Sequence, residues 1–439
     1  MWSNLTRLLV VVLTFFMPIS VTFASCSELP SAKFPKLPYT DTILPTSATE
    51  DLHILETTLR SNHPSLFDYQ SKAEFEMLTE ELSQNVACAK TSADIFALAS
   101  QMVASIGDAH TYVINPHELE IQAREPLFPL AIDIVNNQMF IDEKQVEEIN
   151  DMTVASILKS LQRYLPSDAN TTPYKNAFIQ QDFATLFFTL LDRSSQFEIR
   201  FVDGQRMTLA AELRKTNKKS KEESHPSLKI MGSTATIKIP SWEDSSASSF
   251  NTPLAETAQN SFLGEFIFDA MSKVTIKDVN QLVVDMRGNK GGKSGPAALL
   301  LSFLISEPFK YYEEITVASD QFPTYEHVAN KSLVDFYKSE KAQQLIEERG
   351  GQLFFKSELM PKIIPQPNVF VGDIVVMVDK FSLSVSTDVV ANLIQHTNAT
   401  VVGDEIGGSL THYSAGNYLD LVLPNSKIRV NVPLQRLVY

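Results

Sequence analysis

The stretch Leu282-Val-Val-Asp-Met-Arg-Gly-Asn-Lys-Gly-Gly292 constrains the fold of this chain more than any other. Apolar residues at Leu282, Val283, Val284 and Met286 surround a single acid, the pattern of a strand covered on both faces. Gly288, Gly291 and Gly292 then open a turn that tolerates positive φ and close backbone approach, just before an apolar helical run from Ala297 to Ser306. A strand ending in such a turn aims backbone N–H groups at a crevice, and phosphate is as good an occupant as any at this level. An α/β core is the expected outcome.

A second run of the same kind lies downstream. Asp373-Ile-Val-Val-Met-Val378 reads as another buried strand, Asp379-Lys-Phe-Ser-Leu-Ser-Val-Ser-Thr-Asp388 as a serine-rich turn, Val389 to Ile394 as a helix and Thr400-Val-Val402 as a strand. Strand, turn, helix and strand make an α/β crossover, in which the loops leaving the strands' carboxyl ends converge on one crevice. The alternating strand Thr234 to Trp242 and an amphipathic helix near Phe262 to Val274 precede the glycine turn, and Glu307 to Asn368 forms a long excursion with no assigned element.

Upstream, Pro30, Pro35, Pro38 and Pro45 mark an extended lead-in. Helical spacing follows from Thr46 to Val86, broken near Pro64, and from Thr91 to Ile106. This helical part stops at Gly107-Asp-Ala-His-Thr111, where a carboxylate stands beside an imidazole. Between Pro126 and Leu213 the pattern changes to short strands, with a hairpin at Asn136-Asn137, a helix near Val154 to Tyr164 and a turn at Asp203-Gly204. The division expected is 1–24 targeting segment, 25–125 lead-in and helical domain, 126–226 β-rich module with a basic loop, and 227–439 α/β core.

The targeting segment is read from Arg7, the apolar run Leu8 to Met17 and the small residues at Ala24-Ser25, with cleavage after Ala24. Met17-Pro18 interrupts the run, which disfavours a permanent span, and an exported protein is expected. Cys26 and Cys88 are the only cysteines. After cleavage they can pair in an oxidising compartment, or Cys26 can carry a lipid as the minority reading, while Cys88 can equally be a small buried hydrophobe. A net charge of −15 and the lack of any notable cationic run other than Arg214–Lys221, which Glu222 and Glu223 follow at once, argue against a nucleic-acid partner. No His-Glu-x-x-His occurs, so neither a metal nor another cofactor is expected.

Together Gly107-Asp-Ala-His-Thr111, Asp285-Met-Arg-Gly-Asn-Lys-Gly-Gly292, the serine turn after Asp379 and Val401-Val-Gly-Asp-Glu-Ile-Gly-Gly408 resemble, in order, the motifs of the tail-specific or C-terminal processing serine peptidases of family S41 and their interphotoreceptor-retinoid-binding-protein-like branch. The resemblance covers most of the chain beyond the targeting segment. It implies a ClpP/crotonase-like α/β core, a polypeptide substrate, and, between residues 126 and 213, a module where many relatives carry a PDZ domain. Glu148-Ile-Asn-Asp-Met-Thr153 echoes such a module only weakly, and a degenerate one fits better.

The resemblance also assigns roles. Aligning back from Gly403 without gaps selects Ser384 as nucleophile, with Ser382, preceded by Phe381, as alternative. In the same register Thr387 stands at the family's acidic position and Asp388 one place late. A serine hydroxyl needs a base, and the position of the family's dyad lysine is Ser409, so the histidine-using branch points to His110, with Asp108 orienting it. Oxyanion donors are implied at the Gly291-Gly292 turn and at Val385. A further acid is not evident before Tyr439, although Asp404 and Glu405 stand where relatives have Glu, and His412 is a weaker candidate base. The implied activity is endoproteolysis of flexible polypeptides. The rival is a catalytically impaired relative that binds peptides or small apolar ligands. An esterase is disfavoured because no Gly-x-Ser-x-Gly surrounds a serine.

Overall fold

The computed structural model describes residues 29–214, 225–246, 255 and 258–439. The expected targeting segment and Cys26 lie outside the described residues. Cys88 is disulfide-bonded, which rules out its reading as a free buried thiol.

Helices Pro45–Asn62, Lys72–Val86 and Ser92–Ser105 form the N-terminal bundle. The last two begin with reciprocal capping boxes, Ser71 with Glu74 and Thr91 with Asp94, which satisfy N–H groups left over by the first turn. The bundle leads through Gly107 into the short strand Tyr112–Ile114.

Five parallel and antiparallel strands make the core sheet, in the order Ser227–Met231, Thr234–Lys238, Gln281–Asp285, Asp373–Val378 and Thr400–Gly403. The first pair is an antiparallel hairpin and every later pairing is parallel. Helices Phe262–Ile276, Ser294–Ser302 and Val385–His396 cover it. Leu282, Val284, Val376 and Ile237 are fully buried under the helices, whereas Val283, Val375 and Met377, on the other face, are half-buried, so the strands expected to be covered on both faces are fully covered on one only.

A second sheet has Arg429–Val438 at its centre. His412–Val422 pairs along one edge, while Tyr112–Ile114 and Glu314–Val317 pair end to end along the other. Through it the N-terminal bundle is stitched to the C-terminal strands. Glu307–Asn368 is therefore not a plain excursion. It supplies Glu314–Val317, the hairpin Ile346–Arg349 and Gln352–Phe355, and helices Lys331–Lys338 and Glu340–Leu345.

The third unit is the β-rich module. Its sheet runs Asp133–Val135, Gln138–Ile141, Lys144–Ile149, Gln196–Phe201 and Arg206–Ala210, with Met152–Thr153 at the side. Asn136 and Asn137 adopt φ of 51° and 59°, the twist a two-residue hairpin demands. Two helices pack here, Val154–Gln162 and a 19-residue helix, Thr172–Leu190, that the sequence pattern does not announce. It is buried on most sides, through Tyr174, Ile179, Phe183, Phe187 and Leu190, so no amphipathic stripe stands out. The helix from residue 294 also stops at Ser302, four residues before the expected end.

Candidate active site

The carboxyl ends of Gln281–Asp285 and Asp373–Val378 lie side by side, with Asp285 opposite Met377. Each strand therefore delivers its following turn to the same crevice. Asn289, fully buried, locks the first turn: its Nδ2 donates to the Ile239 carbonyl at 2.8 Å and its Oδ1 accepts the Gly291 N–H at 2.9 Å. Trp242 holds it from the other side, donating its N–H to the Gly291 carbonyl at 3.0 Å and accepting the Lys293 N–H at 2.8 Å. Arg287 forms a bidentate pair with Asp285 at 2.9 and 2.8 Å, a structural role.

The three serines of the second turn divide by their partners. Ser382 is fully buried, donates to the Met286 carbonyl at 2.9 Å and accepts the Asp379 N–H at 3.0 Å. Ser386 is fully buried, donates to the Asn289 carbonyl at 2.9 Å and accepts the Trp242 indole N–H at 3.1 Å. Both hydroxyls pin the serine turn to the glycine turn. The Ser382 alternative thus has its hydroxyl committed to the backbone and out of solvent. Ser384 differs on each count: it is partly exposed, its hydroxyl has no hydrogen bond among the described residues, and its backbone stands at φ 58° and ψ −123°. That conformation is rare for a residue with a side chain and is stored strain. It swings Ser384 out of line at the start of helix Val385–His396.

Gly291 is pressed against this serine. A Cβ on Gly291 would stand 2.6 Å from the Ser384 Cβ and 3.1 Å from its Oγ, and the residue has φ 102°. Its N–H, however, is spent on Asn289. Of the expected oxyanion donors, Gly291 is therefore corrected to a space-maker, while Gly292 and Val385 keep N–H groups without an acceptor among the described residues.

His110 sits beside Asp108 in the turn after the N-terminal bundle, with its backbone carbonyl held by Asn431 of the last strand at 3.3 Å. The imidazole Nδ1 lies 3.7 Å from an Asp108 oxygen, an electrostatic contact rather than a hydrogen bond. Neither ring nitrogen has a hydrogen-bond partner among the described residues. No hydrogen bond joins His110 to Ser384 in this state. The ring packs on Tyr413, centroids 5.0 Å apart, and the Tyr413 hydroxyl donates at 2.8 Å to Asp388, one turn into the helix that Ser384 begins.

Asp108 lies between His63 and His110. It is buried, accepts the His110 N–H at 3.1 Å, and its second oxygen is gripped by His63 Nε2 at 3.0 Å and by the Thr111 hydroxyl. Burial works to raise its carboxyl, but His110 and His63 outweigh it and hold the group well below the usual carboxylate range. Asp168 is a second buried acid that the sequence did not single out. It accepts the Ala109 N–H at 2.8 Å and the Ser409 N–H at 3.4 Å, and burial, then Asp108, push its carboxyl up to about 6 despite His110. For His110, burial pulls the imidazole pKa down, yet Asp108, Asp168 and Asp388 together leave it above the ordinary value. Asp108, His110 and Asp168 each place one donor atom within 4.8 Å of the others, the spacing of a loose metal cluster. The oxygens of Asp108 and Asp168 already serve N–H, imidazole and hydroxyl donors, which marks these two acids as structural and electrostatic groups.

Asp388, one place late for the family's acid, accepts four hydroxyls, from Tyr311, Tyr312, Tyr413 and Tyr439, at 2.6 to 2.9 Å. Burial raises its carboxyl, with those hydroxyls opposing. A carboxylate has about four lone-pair positions, and all are taken. It anchors the helix below Ser384 and does not reach the crevice. Ser409, at the position of the lysine of the Lys-dyad branch, lies against Asp168. His412 stacks on Tyr69 and meets Asp68 at 2.9 Å, so its ring is engaged away from the serine turn's hydrogen bonds. His63 and Asp168 could not be found from spacing, because both are brought in from elements far away in sequence.

A parallel core sheet whose adjacent strand ends carry a strained serine and a glycine turn defines an α/β class of protein with its site at the strands' carboxyl ends. Residues 233–432 match the sequence model of peptidase family S41. The match falls on the part of the chain that carries the glycine turn and the serine turn, and it is a similarity of that part to the family. Among solved structures it is similar to mature CPAF at 13% identity, with 90% of this chain and 89% of that one covered and a TM-score of 0.59. Mature CPAF complexed with lactacystin gives 12% identity, 89% and 90% coverage and the same TM-score, and a serine-to-alanine CPAF mutant gives 13%, 90% and 89%, again at 0.59. At these identities the likeness is one of fold. No curated protein matches the chain.

Proposed function

We propose that this chain is a peptidase of the S41 type, an exported serine endopeptidase that cleaves flexible polypeptides through an acyl-enzyme, with Ser384 as nucleophile and His110 as base. The observation that carries the reading is the contrast within one turn: Ser382 and Ser386 are buried and bonded, whereas Ser384 is strained, unbonded and accessible. Strain of this kind persists where the surroundings impose it, and it clusters at reactive residues.

In the reaction, Ser384 Oγ attacks the scissile carbonyl carbon while its proton passes to His110 Nε2, the nitrogen away from Asp108. The tetrahedral oxyanion takes N–H donors from Val385 and Gly292, a contribution that for one donor is about two to three orders of magnitude in rate. Protonated His110 then gives its proton to the leaving amine, and water, activated by the same imidazole, releases the acyl group. The acids around His110 favour its charged form, which is the form made during attack. The serine–histidine hydrogen bond is absent here and forms as substrate closes the crevice.

A second reading is favoured by the unpartnered His110 ring: an impaired relative that holds peptides or small apolar ligands in the same crevice. A fluorophosphonate probe separates the two. Covalent labelling of Ser384, located by peptide mapping and lost in Ser384→Ala, is expected of the peptidase. Absence of labelling in folded protein rejects it in favour of the binder.

A further inference from the structure

Strand Tyr112–Ile114 pairs with Asn431, Val430 and Arg429 along one edge, and no strand pairs with its other edge among the described residues. Glu314–Val317 meets the same side of Arg429–Val438 further along, so the free edge is left facing outward. A cavity of about 460 Å³ lies against it. Four consecutive residues, Tyr112, Val113, Ile114 and Asn115, line that cavity. A cavity on one face of a strand touches every second residue, so this one runs along the open edge. Its far wall is apolar, with Phe96 and Val103 from the N-terminal bundle and Phe178 and Leu186 from helix Thr172–Leu190.

The groove also leads to the crevice. Ala109, which lines it, directly precedes His110, and Tyr174, which lines it too, packs edge-on against Phe381, three residues before Ser384. From this geometry we infer that the groove is a subsite for an extended segment of the substrate polypeptide, added as a strand to Tyr112–Ile114 with an apolar side chain in the cavity. The inference rests on the peptidase reading above and specifies its substrate class. An exposed strand edge offers unpaired N–H and carbonyl groups as the template for such addition, and the alternate side chains of the added strand give selectivity. Tyr112 and Ile114, 43% and 42% exposed, are large apolar residues waiting on that edge. Glu118 and Asp182 line the same cavity, so segments carrying lysine or arginine are preferred over acidic ones.

The test uses full-length Ser384→Ala protein and a fluorescein-labelled nonapeptide of alternating leucine and threonine with one lysine, followed by anisotropy. N-methylation of successive peptide nitrogens is expected to weaken binding at least tenfold at alternate positions and little between them, because only every second N–H of an added strand faces its neighbour. Leu186→Trp, which fills the cavity, is expected to weaken binding by a similar factor. Binding with no alternation, or no binding at millimolar protein, overturns the inference whatever the variant does. If the alternating pattern is found but wild-type protein neither cleaves the peptide nor takes up the fluorophosphonate, the subsite stands and the peptidase reading falls.

Discussion

The strained backbone at Ser384 can be weighed against its own chemistry. Holding a residue with a side chain at φ 58° and ψ −123° costs about 1–3 kcal/mol. Glycine takes that conformation without strain, but the unfolded chain gains freedom worth roughly 0.5–1 kcal/mol. Ser384→Ala keeps the strain and loses only a hydroxyl that bonds nothing. Ser384→Gly should therefore be more stable than Ser384→Ala by about 0.5–2 kcal/mol. At an ordinary residue the order is the reverse. Both variants should lack hydrolysis and fluorophosphonate labelling. Thermal and urea unfolding of the two proteins side by side measure the difference, and each kcal/mol moves Tm by about 2–4 °C for a unit of 150–250 residues. If glycine is the less stable of the two, the residue is not strained and the reason for choosing Ser384 over its neighbours disappears.

Three further outcomes follow. Because His110 must be neutral to act as base and its pKa is raised, kcat/KM should fall as pH drops through a value above the usual 6.5 of histidine. Asp168→Asn removes one of the charges responsible, so that acid limb should move to lower pH; an unmoved limb excludes Asp168 from the site. The sign for stability is the companion of this: protonated His110 stabilises the fold fully below pH 6.5 and the contribution is lost as pH rises through its folded value. Gly291→Ala sets a methyl 2.6 Å from the Ser384 Cβ and should lower kcat about a hundredfold or more with a smaller change in KM, since an oxyanion-hole geometry displaced by this much forfeits at least one donor. Ser382→Ala and Ser386→Ala each strand buried partners, a cost of about 1–3 kcal/mol, yet both should still label at Ser384. Loss of labelling in folded Ser382→Ala would return the nucleophile to Ser382.

Much of the core could be read directly from the residues. The apolar run at Leu282–Met286 and the second at Ile374–Val378 mark core strands, buried on one face and half-buried on the other, and the glycines between strand and helix mark a turn with close backbone approach. These are local rules: a strand with little exposure on either face carries apolar residues throughout, and positive φ favours glycine. Helix Thr172–Leu190 escaped for the same reason in reverse, since a helix buried on most sides shows no stripe.

The sequence by itself determined the α/β crossover, the crevice at the strands' carboxyl ends and a short set of reactive residues within it. The register of the family motif pointed to Ser384, and the tertiary structure supplied the physical difference between it and its neighbours. Three serines at alternating positions look equivalent in local residue pattern, and it is the hydrogen bonds of Ser382 and Ser386 to Met286 and Asn289, about a hundred residues away, that leave Ser384 as the strained and open one. The acids that charge His110, the tyrosine cage of Asp388 and the open edge of Tyr112–Ile114 likewise arise from contacts between distant segments. Local periodicity carries no information about such pairings, because it reports which face of an element is buried and not what lies against it.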